Sequence, residues 1–180
     1  VEIKLKGTYV IEPNIFIDER GFFGRVFCQE EFKEQKIESN IIQINHSGSK
    51  LKGTIRGMHY QLLPFAEVKV VKCIKGRVYD VIIDIRKTSP TFLQWFGIEL
   101  SSENKKMLYI PKGFAHGFQA LEDNAELLYL TTEKYHHTYE RGIRYDDPFI
   151  NINWPLIPCN ISIKDKSHHL LDKLFIGIDI

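Results

Sequence analysis

Only three cysteines occur in 180 residues, Cys28, Cys73 and Cys159, and no two are close along the chain. An odd, dispersed set argues against a disulfide framework or a cysteine-built zinc site and fits reduced thiols in a cytosolic protein. No run approaches the roughly 18 consecutive apolar residues of a membrane-spanning helix. The opening Val1-Glu2-Ile3-Lys4-Leu5-Lys6 alternates polar with apolar and lacks the apolar centre of a secretion signal. Neither sign of charge dominates, since 24 Lys and Arg against 23 Asp and Glu leave +1. Without a broad positive field, a dedicated nucleic-acid binder is disfavoured, and any ligand charge must be met by locally placed groups. No glycine-rich dinucleotide fingerprint follows a strand, and no internal repeat, low-complexity tract or linker is visible. The remaining composition, 43% apolar and 26% charged, is that of an ordinary globular chain. One compact cytoplasmic domain over residues 1–180 is the expectation, with about 70% of the unfolded surface available for burial.

Short β-rich stretches separated by turn residues fill most of the chain. Lys69 to Ile74 leads through Lys75-Gly76 into the apolar run Arg77 to Ile85, in which Asp80 and Asp84 share a strand face with Ile82. Further stretches are Phe92 to Leu100, Lys106 to Ile110, Phe114 to Leu121 and Ala125 to Thr132. This spacing predicts a mainly β protein, an antiparallel sandwich or barrel, and not a βαβ fold. Helical pattern is confined to Glu30–Glu38 and Ser167–Phe175, the latter with Leu170, Leu171 and Leu174 on one side.

Chemistry-bearing residues concentrate between Gln43 and Lys69. Strand alternation puts Gln43 with Asn45 on one face, and His59 with Gln61 opposite Met58 with Tyr60. If those faces line a common interior, amides, Arg56, His59 and Lys69 converge on a cavity suited to a polar, anionic small molecule. A plainer reading leaves Gln43 and Asn45 facing solvent and His59 as a satisfied core histidine. His116 lies in a second cluster, Pro111 to Phe118. His59 and His116, with Glu67 nearby, raise the possibility of a metal site. However, the position two after His59 is Gln61, a poor ligand, and no metal is expected. Tyr129 lies in an apolar strand where its hydroxyl needs a partner. Asp165 either caps a helix or orients a histidine.

These segments, in order, resemble the dTDP-4-dehydrorhamnose 3,5-epimerase family. The likeness rests on Phe16-Ile-Asp-Glu-Arg-Gly-Phe22, Gln43-Ile-Asn-His-Ser-Gly-Ser49, Arg56-Gly-Met-His-Tyr-Gln61 and Asp80-Val-Ile-Ile-Asp-Ile-Arg86. It continues through Ser89-Pro-Thr-Phe92, Tyr109-Ile-Pro-Lys-Gly-Phe-Ala-His-Gly-Phe118, Tyr129-Leu-Thr-Thr132, Asp146-Asp-Pro148, Trp154-Pro155 and Lys164-Asp165. The resemblance implies a metal-free, cofactor-free cupin-like jelly roll with its core at about 40–135, a homodimer acting on a nucleoside-diphosphate 4-keto-6-deoxy sugar. It casts His59 as general base with Asp165 as its partner, Tyr129 as the acid on the other face of the sugar, and Lys69 near the C4 ketone oxygen. Arg56 then holds the diphosphate, Gln43 and Asn45 contact the nucleotide, His116 lies in the pocket, and Tyr135 packs near sugar or base. Phe16 and Arg20 match positions near the nucleotide. Two departures stand out. Arg25 replaces a common glutamate, and Glu67-Val68 replaces a common Gln-Gly before Lys69.

Overall fold

The computed structural model describes residues 1–180. Ten of its strands form two five-stranded antiparallel sheets. The first has the order β1 (Tyr9–Ile11), β9 (Met107–Ile110), β6 (Lys69–Lys75), β11 (Ala125–Thr131), β4 (Gln43–Ser49). The second runs β12 (Glu140–Gly142), β5 (Ile55–Gln61), β10 (Phe114–Ala120), β7 (Arg77–Asp84), β8 (Trp95–Ser101). A separate hairpin, β2 (Ile15–Asp18) and β3 (Gly21–Gly24), completes the strands. The expected cupin-like β architecture is the observed one. No helix is long and apolar enough to cross a membrane.

Apart from the exposed outer side of β4, both sheets are covered on both faces, which explains strands such as β7 and β10 that read as nearly continuous apolar runs. In β7, Val78 and Ile82 join Val71, Leu127, Phe114 and Phe118 between the sheets. Val81 and Ile83 point the other way, with Met58 and Tyr60, and are covered by the segment from Ile143 to Ile178. The outer face of the first sheet buries Val70, Met107 and Leu130 under Phe32 of α1 (Gln29–Glu34).

Both helices differ from their expected bounds. α1 stops at Glu34 because Lys36 turns into the left-handed region (φ 57°). The Ile37 N–H then bonds the Phe32 carbonyl, and the Lys36 N–H that of Lys33, the Schellman arrangement that ends helices. The predicted helix over Ser167–Phe175 does not form. α2 is instead Ile163–Ser167, capped by Ser162. Downstream, the Asp147 carboxylate takes the Leu171 N–H at 2.6 Å, and Leu171 and Phe175 pack on the second sheet from irregular chain.

Strand alternation positions the site. The inward residues of β4, β6 and β11 include Gln43, Asn45, Lys69 and Tyr129, and those of β5, β7 and β10 include His59, Asp80 and His116. At one end of the sandwich these inward positions turn from apolar to polar. Gly57 is required there by geometry. Its φ is +116°, and a Cβ would stand 2.6 Å from the Gly117 Cα and 2.7 Å from the His116 carbonyl oxygen. Close approach of β5 to β10 thus depends on a missing side chain.

Candidate active site

Between the polar ends of the sheets lies a cleft with two chambers, of about 170 and 520 Å³. Both are lined by His59, Lys69 and Tyr129. One also carries Gln43, Asn45, Glu67 and Tyr135, and the other Arg56, His116, Ser162 and Asp165. Catalytic and binding candidates separated by more than a hundred residues in sequence therefore share one wall-to-wall space.

His59 Nε2 lies 2.6 Å from Asp165 Oδ1. Burial alone would raise the Asp165 carboxyl, but the contact with His59, the Gly57 N–H and Ser162 together outweigh it and hold the group below its ordinary range. A carboxylate only accepts, so Nε2 carries the hydrogen of this bond and Nδ1 is the ring nitrogen left for a ligand. The Gly57 N–H donates to the second oxygen of Asp165 at 3.3 Å. Asp165 itself is not the cap of α2, since the Ser162 hydroxyl accepts its N–H. The carboxylate is freed to orient a histidine. Beside it sits His168, whose imidazole is displaced below its ordinary value by burial and by the neighbouring His59 imidazole.

Tyr129 faces His59 across the space from the other sheet. Burial pushes its phenol far above the usual tyrosine value. The Ser47 hydroxyl donates to Tyr129 Oη at 3.3 Å, so the phenolic hydrogen remains free to be given away. His116 packs edge-on against the Tyr129 ring with centroids 5.9 Å apart, and its Nε2 is 2.9 Å from an oxygen of fully buried Asp80. Lys69 Nζ pairs with Glu67 at 3.0 Å, and the other oxygen of Glu67 accepts from Gln61 Nε2 at 2.7 Å. The carboxylate at 67 therefore fixes where the Lys69 cation stands.

Arg56 is anchored to the Gly48 carbonyl at 2.9 Å and to Ser49, with its guanidinium at the open side of the cleft. Gln43 Nε2 donates to Asn45 Oδ1 at 2.8 Å. Tyr135 donates to Glu140, which also takes Lys164 at 2.7 Å, tying the β11–β12 connection to α2. Phe16 and Arg20 do not line this cleft. They lie on the β2–β3 hairpin, where Arg20 pairs with Asp18. Arg25 pairs with Glu31 beside the same hairpin. Asp80 and Glu140 also border the site. An acid inside the apolar β7 run is a readable signal for Asp80, but nothing local marks Glu140.

Residues 2–173 match the dTDP-4-dehydrorhamnose 3,5-epimerase family. The chain is 48% identical to the dTDP-4-dehydrorhamnose 3,5-epimerase of Shigella flexneri over 168 residues, covering 92% of this chain and 91% of that protein. A crystal structure of the Legionella pneumophila dTDP-6-deoxy-D-glucose-3,5-epimerase, in complex with dTDP-4-keto-L-rhamnose, superposes with a TM-score of 0.93 at 40% identity. It covers 100% of this chain and 97% of that one. A 3′-monoepimerase from Streptomyces bikiniensis in complex with dTDP-quinovose is similar at 30% identity, with a TM-score of 0.86 over 92% of this chain and 84% of that one. With profile, sequence and three-dimensional structure in agreement, the chain belongs to the dTDP-4-dehydrorhamnose 3,5-epimerase family.

Proposed function

We propose that this chain inverts C3 and C5 of dTDP-4-dehydro-6-deoxyglucose by abstracting a proton on one face of the sugar and returning one on the other. Hydrogens beside a ketone are acidic because the resulting carbanion is an enolate, its charge moved onto the ketone oxygen. Inversion needs a base, an acid opposite it and a cation at that oxygen. The observation that carries the reading is the convergence of the His59–Asp165 pair, Lys69 and the buried Tyr129 phenol on one cleft.

In this reading His59 Nδ1 takes the proton, and Asp165 holds the ring in the required tautomer and stabilises the imidazolium. Lys69, steadied by Glu67, meets the growing charge on the C4 oxygen. Tyr129 delivers a proton to the opposite face. Arg56 holds the diphosphate, Gln43 and Asn45 face the nucleotide, and His116, pinned by Asp80, supports Tyr129 from the pocket wall. Tyr135 borders the sugar end. The chemistry needs no change of oxidation state, and these side chains supply every proton movement without a cofactor.

NMR of the reaction in D2O tests this directly. Deuterium is expected at both C3 and C5 of an inverted product. Incorporation at C3 alone would make the chain a 3-epimerase, like its Streptomyces relative. No incorporation would end the proposal.

The working unit we propose is a homodimer. Phe16, Ile17, Phe22 and Phe23 of the β2–β3 hairpin are each more than 60% exposed. Phe16 and Arg20 stand outside their own chain's cleft, so they reach a nucleotide only in the site of a second copy. Light scattering should return twice the 21.1 kDa chain mass, and a monomer would refute the arrangement. A cytoplasmic location accords with three unpaired cysteines, one of them exposed.

A further inference from the structure

Behind the His59–Asp165 pair lies a second imidazole that the epimerisation does not use. His168 Nε2 stands 3.9 Å from Asp165 Oδ1, the oxygen that His59 Nε2 also contacts. That nitrogen is buried and has no hydrogen-bond partner. The two imidazoles meet edge to face with centroids 6.0 Å apart. Gly142, paired with His59 in the β12–β5 register, makes the room: a Cβ there would lie 2.2 Å from His168 Nε2. One nitrogen of each ring and one Asp165 oxygen all fall within 4.8 Å of one another.

We propose that His59, Asp165 and His168 form a divalent-metal site, best suited to Zn2+, whose occupation switches the enzyme off. Two imidazoles and a carboxylate, with a fourth position open to water, are a zinc ligand set. Bonds of about 2.0–2.2 Å in tetrahedral geometry place ligand atoms roughly 3.2–3.6 Å apart. The 2.6 Å contact must open and the 3.9 Å one close, each by less than about 1 Å, and the two ring nitrogens, within 4.8 Å, must close by up to about 1.6 Å, which side-chain rotation supplies. Imidazole and carboxylate donors do not favour Mg2+ or Ca2+, which select oxygen-only shells.

The consequence for activity rests on His59 being the base. A metal on Nε2 displaces the hydrogen that Asp165 had accepted, and the neutral ring then carries its hydrogen on Nδ1. The lone pair that faced the sugar is gone, and no proton can be taken. No oxidation or reduction is involved, and chelation reverses the change. The expectation of no metal weighed only His116, Glu67 and Gln61 as partners for His59. The missing ligand comes instead from a residue 109 positions further on.

Titration of chelator-treated enzyme with Co2+ reports the coordination itself, through visible d–d bands that Zn2+ should abolish. One equivalent per chain is expected in the unmodified protein, with none of these bands in His168→Asn or His168→Phe. Both variants should keep epimerase turnover in chelator, while the Zn2+ concentration that halves activity rises at least about 10-fold. Bands absent from the unmodified enzyme, or Zn2+ inhibition equal in enzyme and variants, would overturn the site. Bands that vanish in the variants while Zn2+ leaves turnover untouched would uphold the site and count against His59 as the base.

Discussion

Replacing His59 with alanine is expected to lower kcat by about 10²–10⁴-fold, the usual contribution of a positioned acid–base group. That corresponds to roughly 2.7–5.5 kcal/mol of barrier. The substrate should still bind, because Arg56, Gln43 and Asn45 belong to other parts of the cleft wall, so the loss should fall on kcat and leave KM within a few fold. The variant also exposes the other half of the pair. Asp165 is nearly inaccessible, and its carboxyl is held low by His59, the largest of the influences that outweigh burial. Without the imidazole, the largest influence opposing burial is gone and the carboxyl moves upward. In the unmodified protein the depressed carboxyl contributes stability that is present above the unfolded value of about 3.9 and is lost as pH falls through the lower folded value. His59→Ala should therefore be less stable than its parent at neutral pH, with the gap narrowing on acidification. Urea unfolding at a series of pH values checks this. A gap independent of pH would mean that the pair is not what holds the carboxylate.

Removing the hydroxyl of Tyr129 should separate two events that normally occur together. Tyr129→Phe keeps the ring, its edge contact with His116 and the packing on the inter-sheet core. Only the proton donor is lost, together with the acceptor of the Ser47 hydroxyl. His59 can still form the enolate, but the single remaining route returns a proton to the face it left. Deuterium should then enter from D2O with retained configuration, while inverted product falls by about 10²-fold or more. Burial pushes this phenol well above its usual value, so it remains a donor across the whole working range. Any alkaline decline of the unmodified enzyme below pH 10 must come from another group. A Tyr129→Phe variant that still inverts at near-normal rate would assign the acid role elsewhere.

What was readable in advance follows from strand geometry. An alternation of period two groups Gln43 with Asn45 and His59 with Gln61 on shared strand faces whatever the sheet order, but spacing alone leaves open whether those faces look inward or to solvent. The pairing of those strands across two sheets was not readable, because register depends on contacts such as Tyr129 opposite Asn45, some 84 positions apart. The C-terminal segment misled for a physical reason. Leu170, Leu171 and Leu174 have helical spacing, yet the buried Asp147 carboxylate captures the Leu171 N–H and the chain packs as an irregular strap. Ser162 moves the helix start upstream, and that shift delivers Asp165 to His59 and His168 to the rear of the pair. The hairpin residues Phe16 and Arg20 show a different limit. Motif likeness marks them as binding residues, but a single chain leaves them on its surface.

The arrangement of base and acid about the sugar ring is best tested by a crystal structure with dTDP-4-dehydro-6-deoxyglucose or its epimerised product bound. The imidazole of His59 and the hydroxyl of Tyr129 should lie on opposite faces of the pyranose, each about 3–3.5 Å from the carbon being inverted, with Lys69 at the C4 oxygen. A ring seated with both groups on the same face, or with the Tyr129 hydroxyl turned away from C3 and C5, would contradict the account.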